Sequence, residues 1–380
     1  MSFLRAGFGE FQLKIAERDM LIGADLLQSA TIIENVQMSV PSVTLKFLDD
    51  KRRAGSFGAY ADSTPITVKM GDGKDGASNT WKFRQFSFKD AGANSAGELV
   101  TLTGVADLIP WFRKTIDKNF RATSSDAIKQ LAQEHGISKV DVDQTDDKMN
   151  WLPDNRSIAQ FARVLSDHSW AGPMASMFLA LTSENGEWAL RYKDIMKKAG
   201  SSAKTLSSVG MMGSGDFPLW DYSIASKSGF MNSTVNYGFK VVQENMKGLA
   251  DVFDKLDVTK LTSAMGIMSS VAEAVGQARI HFMPAAVGNT HDKYSQALHA
   301  NRKSRATFST TLQLLTDQVT GIKLLDDVKV NLALSDGTRD EAYSGDYKVT
   351  GISRHMSKGA YVEKLVVVSQ GQNATLGGAV

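Results

Sequence analysis

TLKFLDD at Thr44–Asp50 and TLQLLTD at Thr311–Asp317 decide the fold class. Apolar residues alternate with polar ones in both, the pattern of a strand with one face on a core and the other in solvent. Three more matched pairs follow in the same order. ITVKMGDG at Ile66–Gly73 parallels VNLALSDG at Val330–Gly337, and WKFRQFS at Trp81–Ser87 parallels YKVTGIS at Tyr347–Ser353. ELVTLTG at Glu98–Gly104 parallels EKLVVVS at Glu363–Ser369. Trp81 follows Thr44 by 37 positions, and Tyr347 follows Thr311 by 36. Four blocks in one order at near-equal spacing predict a duplicated β-unit. The competing reading is two unrelated antiparallel sheets that share alternating Val, Leu and Phe with Asp-Gly turns. A trimer of a duplicated chain would show six similar units around its axis and could dock on a six-fold ring, closed rings being the usual form of homo-oligomers.

Outward from these blocks, Phe11, Leu13 and Ile15 alternate with polar neighbours, as do Val36, Met38 and Val40. Trp81 and Phe83 alternate in one phase and Phe86 and Phe88 in the other, which predicts a bulge near Arg84–Gln85. From about Trp111 the period becomes helical. Thr123 to Asp126 reads as a capping box opening a helix with Ile128, Leu131 and Ala132 on one face, stopped at Gly136. Ser157 and Gln160 form a second capping box, ahead of Ile158, Phe161, Ala162 and Leu165. A hairpin follows, turning at Asn185–Gly186 in type I′ and returning through Trp188, Leu190 and Tyr192. Residues 196–216 read as a loop, and Val235, Tyr237 and Phe239 as a strand. Residues 241–280 predict helix, with Val242, Met246, Leu249, Phe253 and Leu256 in one stripe.

The chain has 380 residues, enough for two to four compact units, with 42% hydrophobic and 22% charged residues. Lys plus Arg is 43 against Asp plus Glu 41, a net charge of +2, which argues against coating nucleic acid as the main task. There is no Cys, so disulfide scaffolds and thiolate metal or redox sites are excluded. The opening MSFLRAGFGEFQLKIAERD has no apolar run of signal-peptide type. The weakly polar stretch Thr262 to Gly276 is too short for a membrane span. The expectation is a protein that folds in the cytoplasm and stays soluble until assembled.

No motif points to covalent chemistry. GDGKDG at Gly71–Gly76 matches a dinucleotide fingerprint in letters, but it leads into the strand at Trp81–Phe83 rather than a helix, so it reads as a hairpin turn. The six histidines are His135, His168, His281, His291, His299 and His355; none lies in H-E-x-x-H, and no G-x-S-x-G surrounds a serine. His291, His299 and Asp292 hold suitable metal-ligand types at an unfamiliar spacing, and solvated or capping histidines are the preferred reading. Asp49–Asp50, Asp146–Asp147 and Asp326–Asp327 sit beside turns, where solvation is expected rather than a glycosidase pair. No catalytic, cofactor-binding or metal residue is therefore assigned, no cofactor is expected, and the binding residues are unassigned. Lys51–Arg52–Arg53 is a basic run whose counterpart, Asp317 to Asp327, is acidic, so the two units would make different contacts. Met211–Met212, with Met265 and Met268, suits either an adaptable interface or a helix core.

SSDAIKQLAQEHGI at Ser124–Ile137, WLPDNRSIAQFARVLSDHSW at Trp151–Trp170, GEWALRYKD at Gly186–Asp194 and GDYKVTGISRHMSKGAYVEKLVVV at Gly345–Val368 carry a family likeness. With them the chain resembles the central baseplate hub proteins of contractile-tailed bacteriophages, which are related to the N-terminal hub part of the type VI secretion spike protein. The likeness covers most of residues 1–372, on degenerate motifs of which none is diagnostic alone. It implies a multidomain α+β fold: two tail-tube-like antiparallel β-barrels with α/β and helical insertions. The expected parts are a first barrel at 1–110, an α/β domain at 111–216, a second barrel from 217–240 and 305–372, a helical insertion at 241–304 and a tail at 373–380. It further implies a non-enzymatic homotrimer of the virion tail, assembled in the host cytoplasm. Its partners would be the tail tube protein or tube initiator, baseplate wedge proteins and the tape-measure protein, with DNA only in transit through the lumen. Because the chain ends at Val380, soon after the Val368 strand, the spike is expected as a separate protein. The alternatives are a cell-wall hydrolase or peptidase of the tail tip, and a tail-tube or secretion-system spike component.

Overall fold

The computed structural model describes residues 9–23, 25–36, 40–59, 61, 63–73, 77–94, 97–172, 175–197, 203–227, 240–244, 253–257, 280–283, 291–294, 297–298, 301, 308 and 310–369. The first block comprises β1 (Glu10–Ile15), β2 (Arg18–Met20), β3 (Leu27–Asn35), β4 (Ser42–Asp49), α1 (Arg53–Ser56), β5 (Pro65–Gly71), β6 (Ser78–Asn94) and β7 (Gly97–Ala106). An α/β unit follows: α2 (Ile109–Arg113), β8 (Phe120–Ala122), α3 (Ser124–Glu134), β9 (Lys139–Val142), β10 (Met149–Trp151), α4 (Ile158–Asp167), β11 (Met177–Glu184) and β12 (Glu187–Asp194). Then come β13 (Lys204–Ser208), β14 (Phe217–Leu219), β15 (Asp221–Lys227), β16 (Lys240–Glu244), β17 (Phe253–Asp257) and β18 (Ile280–Met283). The second block closes with β19 (Thr310–Thr316), β20 (Asp327–Asn331), β21 (Gly345–Ser357) and β22 (Ala360–Ser369).

The two blocks share one strand order. β4, β7, β6 and β5 lie side by side in the first, and β19, β22, β21 and β20 in the second, all antiparallel. Register agrees as well as order. Asp49 faces Glu98 and Leu45 faces Leu102; their sequence counterparts Thr316 and Leu312 face Glu363 and Val367. Ile66 faces Phe83, and its counterpart Val330 faces Gly345. Phe83 therefore corresponds to Gly345, four residues before the Val349 that side-by-side sequence matching gives it. The part of the third matched pair before its bulge, Trp81 to Phe83, is thus slipped by four along the sheet. An even slip keeps each side chain on its own face, so alternation alone could not reveal it. The expected bulge is present between Gln85 and Ser87 and turns Phe86 outward, 65% exposed.

Neither block closes on itself. A third equivalent strand flanks each: β3 beside β4, and β15 beside β19. β3 then pairs on its other side with β21, which joins the blocks into one open 14-stranded sheet. Two closed barrels were the expectation, and no closed barrel is found among the described residues. The described fold is mainly β; helices α1 to α4 are short and lie between residues 53 and 167. Residues 240–244, 253–257 and 280–283 are three paired strands rather than the expected helix. Val241–Val242 is β-branched, and residues at helical spacing in so short a segment also suit short strands. The rest of 241–280, including Met265 and Met268, lies outside the described residues, as do Met38, Val235, Tyr237, Phe239 and residues 373–380.

The α/β unit is wedged between the two cores. β11 and β12 form the expected hairpin, with Asn185 (φ 54°) and Gly186 (φ 82°) in the left-handed region that a type I′ turn needs, and β9 adds in parallel to β12. Met177, Leu179 and Leu181 of β11 join the core of the first block, while Phe178 and Ala180 join that of the second. MFLAL is an unbroken apolar run because this strand is covered on both faces. α4 is capped as expected, Ser157 and Gln160 forming a reciprocal capping box; of the box expected at α3, the bond made is Thr123 Oγ1 accepting the Asp126 N–H at 3.2 Å.

Candidate assembly interface

The joint between the blocks is held by charge as well as by the ladder. Along β21, Ile352, Arg354 and Met356 point inward, and along β22 so do Tyr361, Glu363 and Leu365. Arg354 is 3% exposed, Glu34 of β3 is 1% and Glu363 is fully buried. The guanidinium donates from Nη1 to Glu34 Oε2 (2.7 Å), from Nε to Glu363 Oε2 (3.1 Å) and from Nη2 to the Ile322 carbonyl (3.1 Å). It also lies 5.2 Å from the centroid of the Trp81 ring. The carboxylates have further donors: the Ser183 N–H reaches Glu34 at 3.0 Å, the Tyr361 hydroxyl reaches Glu363 at 2.9 Å, and the Thr320 hydroxyl also donates to Glu363. Burial alone would lower the Arg354 pKa, but Glu363 and Glu34 raise it above its ordinary value. Burial and the Glu363 charge push the Tyr361 hydroxyl up, so it stays a donor. Five segments meet at this one cation: β3, β6, β22, the hairpin strand β11 by way of Glu34, and the loop at 319–322.

A second charged cluster ties the α/β unit to the second block, around a cleft of about 360 Å³. Arg191 of β12 donates to Asp326 at 2.6 Å and to the Leu324 carbonyl at 2.5 Å. Lys348 pairs with Asp327 at 2.5 Å, and Lys197 with Asp143 at 3.2 Å. Lys204 donates to the Thr320 carbonyl at 2.7 Å, and burial lowers its pKa. Asp326–Asp327 is therefore bound up in ion pairs. The acidic loop 317–327 is not a solvated rim: Asp317, Ile322, Leu324 and Leu325 are buried in it.

The remaining residues singled out by sequence do not converge on a reactive centre. Asp49 accepts the Ala54 N–H at 2.6 Å and so starts α1, while Asp50 is exposed. Asp147 accepts the Ser124 N–H (2.7 Å), the Ser124 hydroxyl (2.6 Å), the Thr145 hydroxyl (2.9 Å) and the Trp170 N–H (2.8 Å). That cluster moors the start of α3. Asp146 is exposed. His291 is buried, with Nε2 3.0 Å from the His168 carbonyl and Nδ1 accepting the Lys293 N–H at 3.3 Å. Both ring nitrogens are thus engaged, Nε2 as the donor. Burial lowers the His291 pKa. His168 stacks on Tyr294 at 3.9 Å between ring centroids, His135 follows α3 and His355 contacts Thr31 at 2.9 Å. His281 lies on β18, and His299 lies outside the described residues. Among the described residues no group of three or more His, Cys, Asp or Glu could hold a metal ion. Gly71 ends β5 and Ser78 begins β6, so GDGKDG leads from strand to strand. Asp72 in it accepts the Val319 N–H at 2.8 Å, a further link between the blocks. Among the described residues no helix is long and apolar enough to cross a membrane.

What remains open is backbone at sheet edges. Among the described residues β15 pairs only with β19, and β6 beyond Phe86 pairs only with β7. Large apolar side chains stand exposed near these edges: Phe86, and on the β15 side Trp220 (43%) and Ile224 (44%). Val209 and Met212, around the short turn at Val209–Met211, are also exposed, at 57% and 44%. The Lys51–Arg52–Arg53 run starts α1, with Lys51 and Arg52 exposed.

No protein-family model matches the sequence, and no curated protein matches it. Solved structures do match the fold. A tail protein from Neisseria meningitidis superposes with a TM-score of 0.58 at 12% identity, covering 96% of this chain and 97% of that one. The 43 kDa tail protein of prophage MuSo2 from Shewanella oneidensis gives 0.56 at 12% identity, over 95% and 97%. An Escherichia coli component of the type VI secretion system, described as similar to T4 bacteriophage tail proteins, gives 0.52 at 9% identity, over 95% and 78%. The chain therefore has the fold of phage tail proteins and of their relatives in type VI secretion.

Proposed function

We propose that this protein is the structural hub of a contractile-tail baseplate, acting as a homotrimer between a six-fold tube and a separate three-fold spike. The observation that carries this reading is the duplication: two blocks of one chain agree in strand order and in the β4·β7 and β19·β22 registers. Three copies then offer six similar faces to a hexameric ring while keeping three-fold symmetry elsewhere. The likeness to two tail proteins over nearly the whole of each chain supports the same context. The partners are the tube protein or its initiator on one side and the spike on the other, with wedge proteins outside. The tape-measure protein and DNA pass through the centre. The task is mechanical, and the engaged state of the carboxylates and of His291 fits it. Mass photometry with electron-microscopy class averages tests this: a trimer with a central hole is expected. A stable monomer or a hexamer overturns it, and lysis of cell walls by the pure protein would favour the hydrolase alternative.

A further inference from the structure

Between Lys227, which ends β15, and Thr310, which starts β19, the strands β16, β17 and β18 pair only with one another among the described residues. His291, Tyr294 and Asn301, further along the same stretch, lie instead against the end of α4. Asn301 is 2% exposed. Its Nδ2 donates to the carbonyls of Ser169 (3.0 Å), Asp167 (3.1 Å) and Ser166 (3.4 Å), and its Oδ1 accepts the Met177 N–H at 3.4 Å. His291 Nε2 donates to the His168 carbonyl at 3.0 Å. Four consecutive carbonyls, where α4 runs out of intrahelical donors, are thus met by two side chains of one distant segment. His168 answers by donating from Nδ1 to the Tyr294 carbonyl at 3.2 Å and by stacking on the Tyr294 ring.

We propose that the segment carrying His291, Tyr294 and Asn301 is a pH-gated latch: it is held on the end of α4 while His291 is neutral and released when His291 is protonated, freeing the inserted region while the body stays folded. α4 keeps what it needs after release, a reciprocal capping box at its start and Ile158, Phe161, Ala162 and Leu165 in the core. Release uncovers the four carbonyls and one side of Trp151, whose ring centroid lies 6.0 Å from that of His291 and 6.3 Å from that of Tyr294. The latch is independent of the hub reading.

Geometry fixes the proton. Nε2 of His291 faces a carbonyl and must donate, while Nδ1 faces the Lys293 N–H at 3.3 Å and must accept. Only the neutral ring with its hydrogen on Nε2 does both, and a second proton sets one N–H against another. The surrounding charges divide. Asp146 and Asp147, from the link between β9 and β10, and Asp292 of the segment itself favour the cation, as does the His168 carbonyl at the end of α4. Burial opposes it and outweighs them. Arg156 and Asp154, from the turn before α4, act on the Tyr294 hydroxyl. The docked ring therefore takes up a proton less readily than a solvated one, whose pKa is about 6.5. As pH falls through that value the released form is protonated first. The ratio of released to docked chains then rises by at most about ten-fold per pH unit, until the docked ring also protonates.

The absence of cysteine allows a single reporter thiol in the full chain. Ala297→Cys places it in the segment, at a fully buried position, and Ala30→Cys places one in the core of the first block as the control for the body. Labelling by a thiol reagent is followed between about pH 7.5 and 5.5, each rate divided by that of a free cysteine peptide at the same pH to remove the titration of the thiol itself. The normalised rate at Ala297→Cys is expected to rise several-fold toward the acid end, while that at Ala30→Cys stays level. Adding His291→Gln, which keeps a donor for the His168 carbonyl and takes up no proton, should abolish the rise; His291→Asn is the second neutral variant should His291→Gln fail to fold. Adding Asn301→Ala should raise labelling at Ala297→Cys several-fold already at the neutral end. A level rate at Ala297→Cys overturns the latch. So does a rise that persists in the neutral variant, an equal rise at Ala30→Cys, or no effect of Asn301→Ala.

Discussion

Replacing Arg354 by Met should be among the most destabilising single changes in this protein. Met fills much of the same space but removes three charge-assisted hydrogen bonds, to Glu34, Glu363 and the Ile322 carbonyl, and the contact with Trp81. Two buried carboxylates are left facing each other, each with only its neutral donors: the Ser183 N–H for Glu34, and the Tyr361 and Thr320 hydroxyls for Glu363. Breaking a buried ion pair from one side costs about 3–5 kcal/mol, much of it from the stranded charge. Glu34→Gln should cost less, since Arg354 keeps Glu363 and the cluster goes from a net charge of −1 to neutral. The double variant Arg354→Met with Glu34→Gln should then fall short of the sum of the two singles by about 1–3 kcal/mol. Equilibrium urea unfolding, followed by tryptophan fluorescence, reads the effect. With a slope of about 3 kcal/mol per M, the Arg354→Met midpoint moves down by about 1 M or somewhat more. A cost below about 1 kcal/mol, or strict additivity in the double variant, would refute the assignment of this cation as the tie between the blocks.

Gly97 sits at φ 135°, and a Cβ there would lie 2.8 Å from the Asp49 carbonyl oxygen, so Gly97→Ala should cost roughly 1–3 kcal/mol. Gly337→Ala, at φ 83° with open space around it, should cost less; thermal unfolding of the two variants side by side checks the order. Ser157→Ala removes the hydroxyl that accepts the Gln160 N–H at 3.3 Å and should cost about 1 kcal/mol, seen as a lower unfolding midpoint. The lowered pKa of buried His291 makes stability depend on pH. As pH falls through about 6.5 the unfolded chain takes up the proton first, so stability is full above that range and declines below it until the folded state also protonates. His291→Gln should flatten that decline by at most about 1.4 kcal/mol per pH unit, measured as urea midpoints between pH 7.5 and 5.5. An unchanged slope would mean that the ring is not buried neutral.

The elements that sequence disclosed are those specified locally. Capping residues and face periodicity define α3 and α4, the Asn185–Gly186 pair defines its hairpin, and the phase change at Phe86 defines the bulge. Elements that depend on distant partners were less legible. β3 is hard to read from sequence because Glu34, a charged residue in an inward position, breaks its inward row after Ala30 and Ile32. Yet that residue carries the joint. A signal was available: Arg354 and Glu363 both stand in the inward phase of neighbouring strands, and opposite charges at such positions ask for a buried partner. The four-residue slip in the third block and the strands at 240–257 share another cause. Apolar pattern records which face a residue occupies, but in short segments it leaves register and period underdetermined. Barrel closure within each unit was what the family likeness implied; the flanking strand of the first block is instead spent on joining the second.

The β3·β21 joint also sets the order in which the chain can mature on the ribosome. Glu34 must wait for Arg354, 320 residues later. At roughly 5–20 residues per second that is an interval of about 15–60 s. During it β3 exposes an unpaired edge, and β11 has only one of the two cores that cover it. Such an edge invites pairing with another nascent chain. High expression, which brings unfinished chains together, should therefore cost yield more sharply than the modest size of the finished protein suggests. Slower initiation or a chaperone that holds extended segments should recover it.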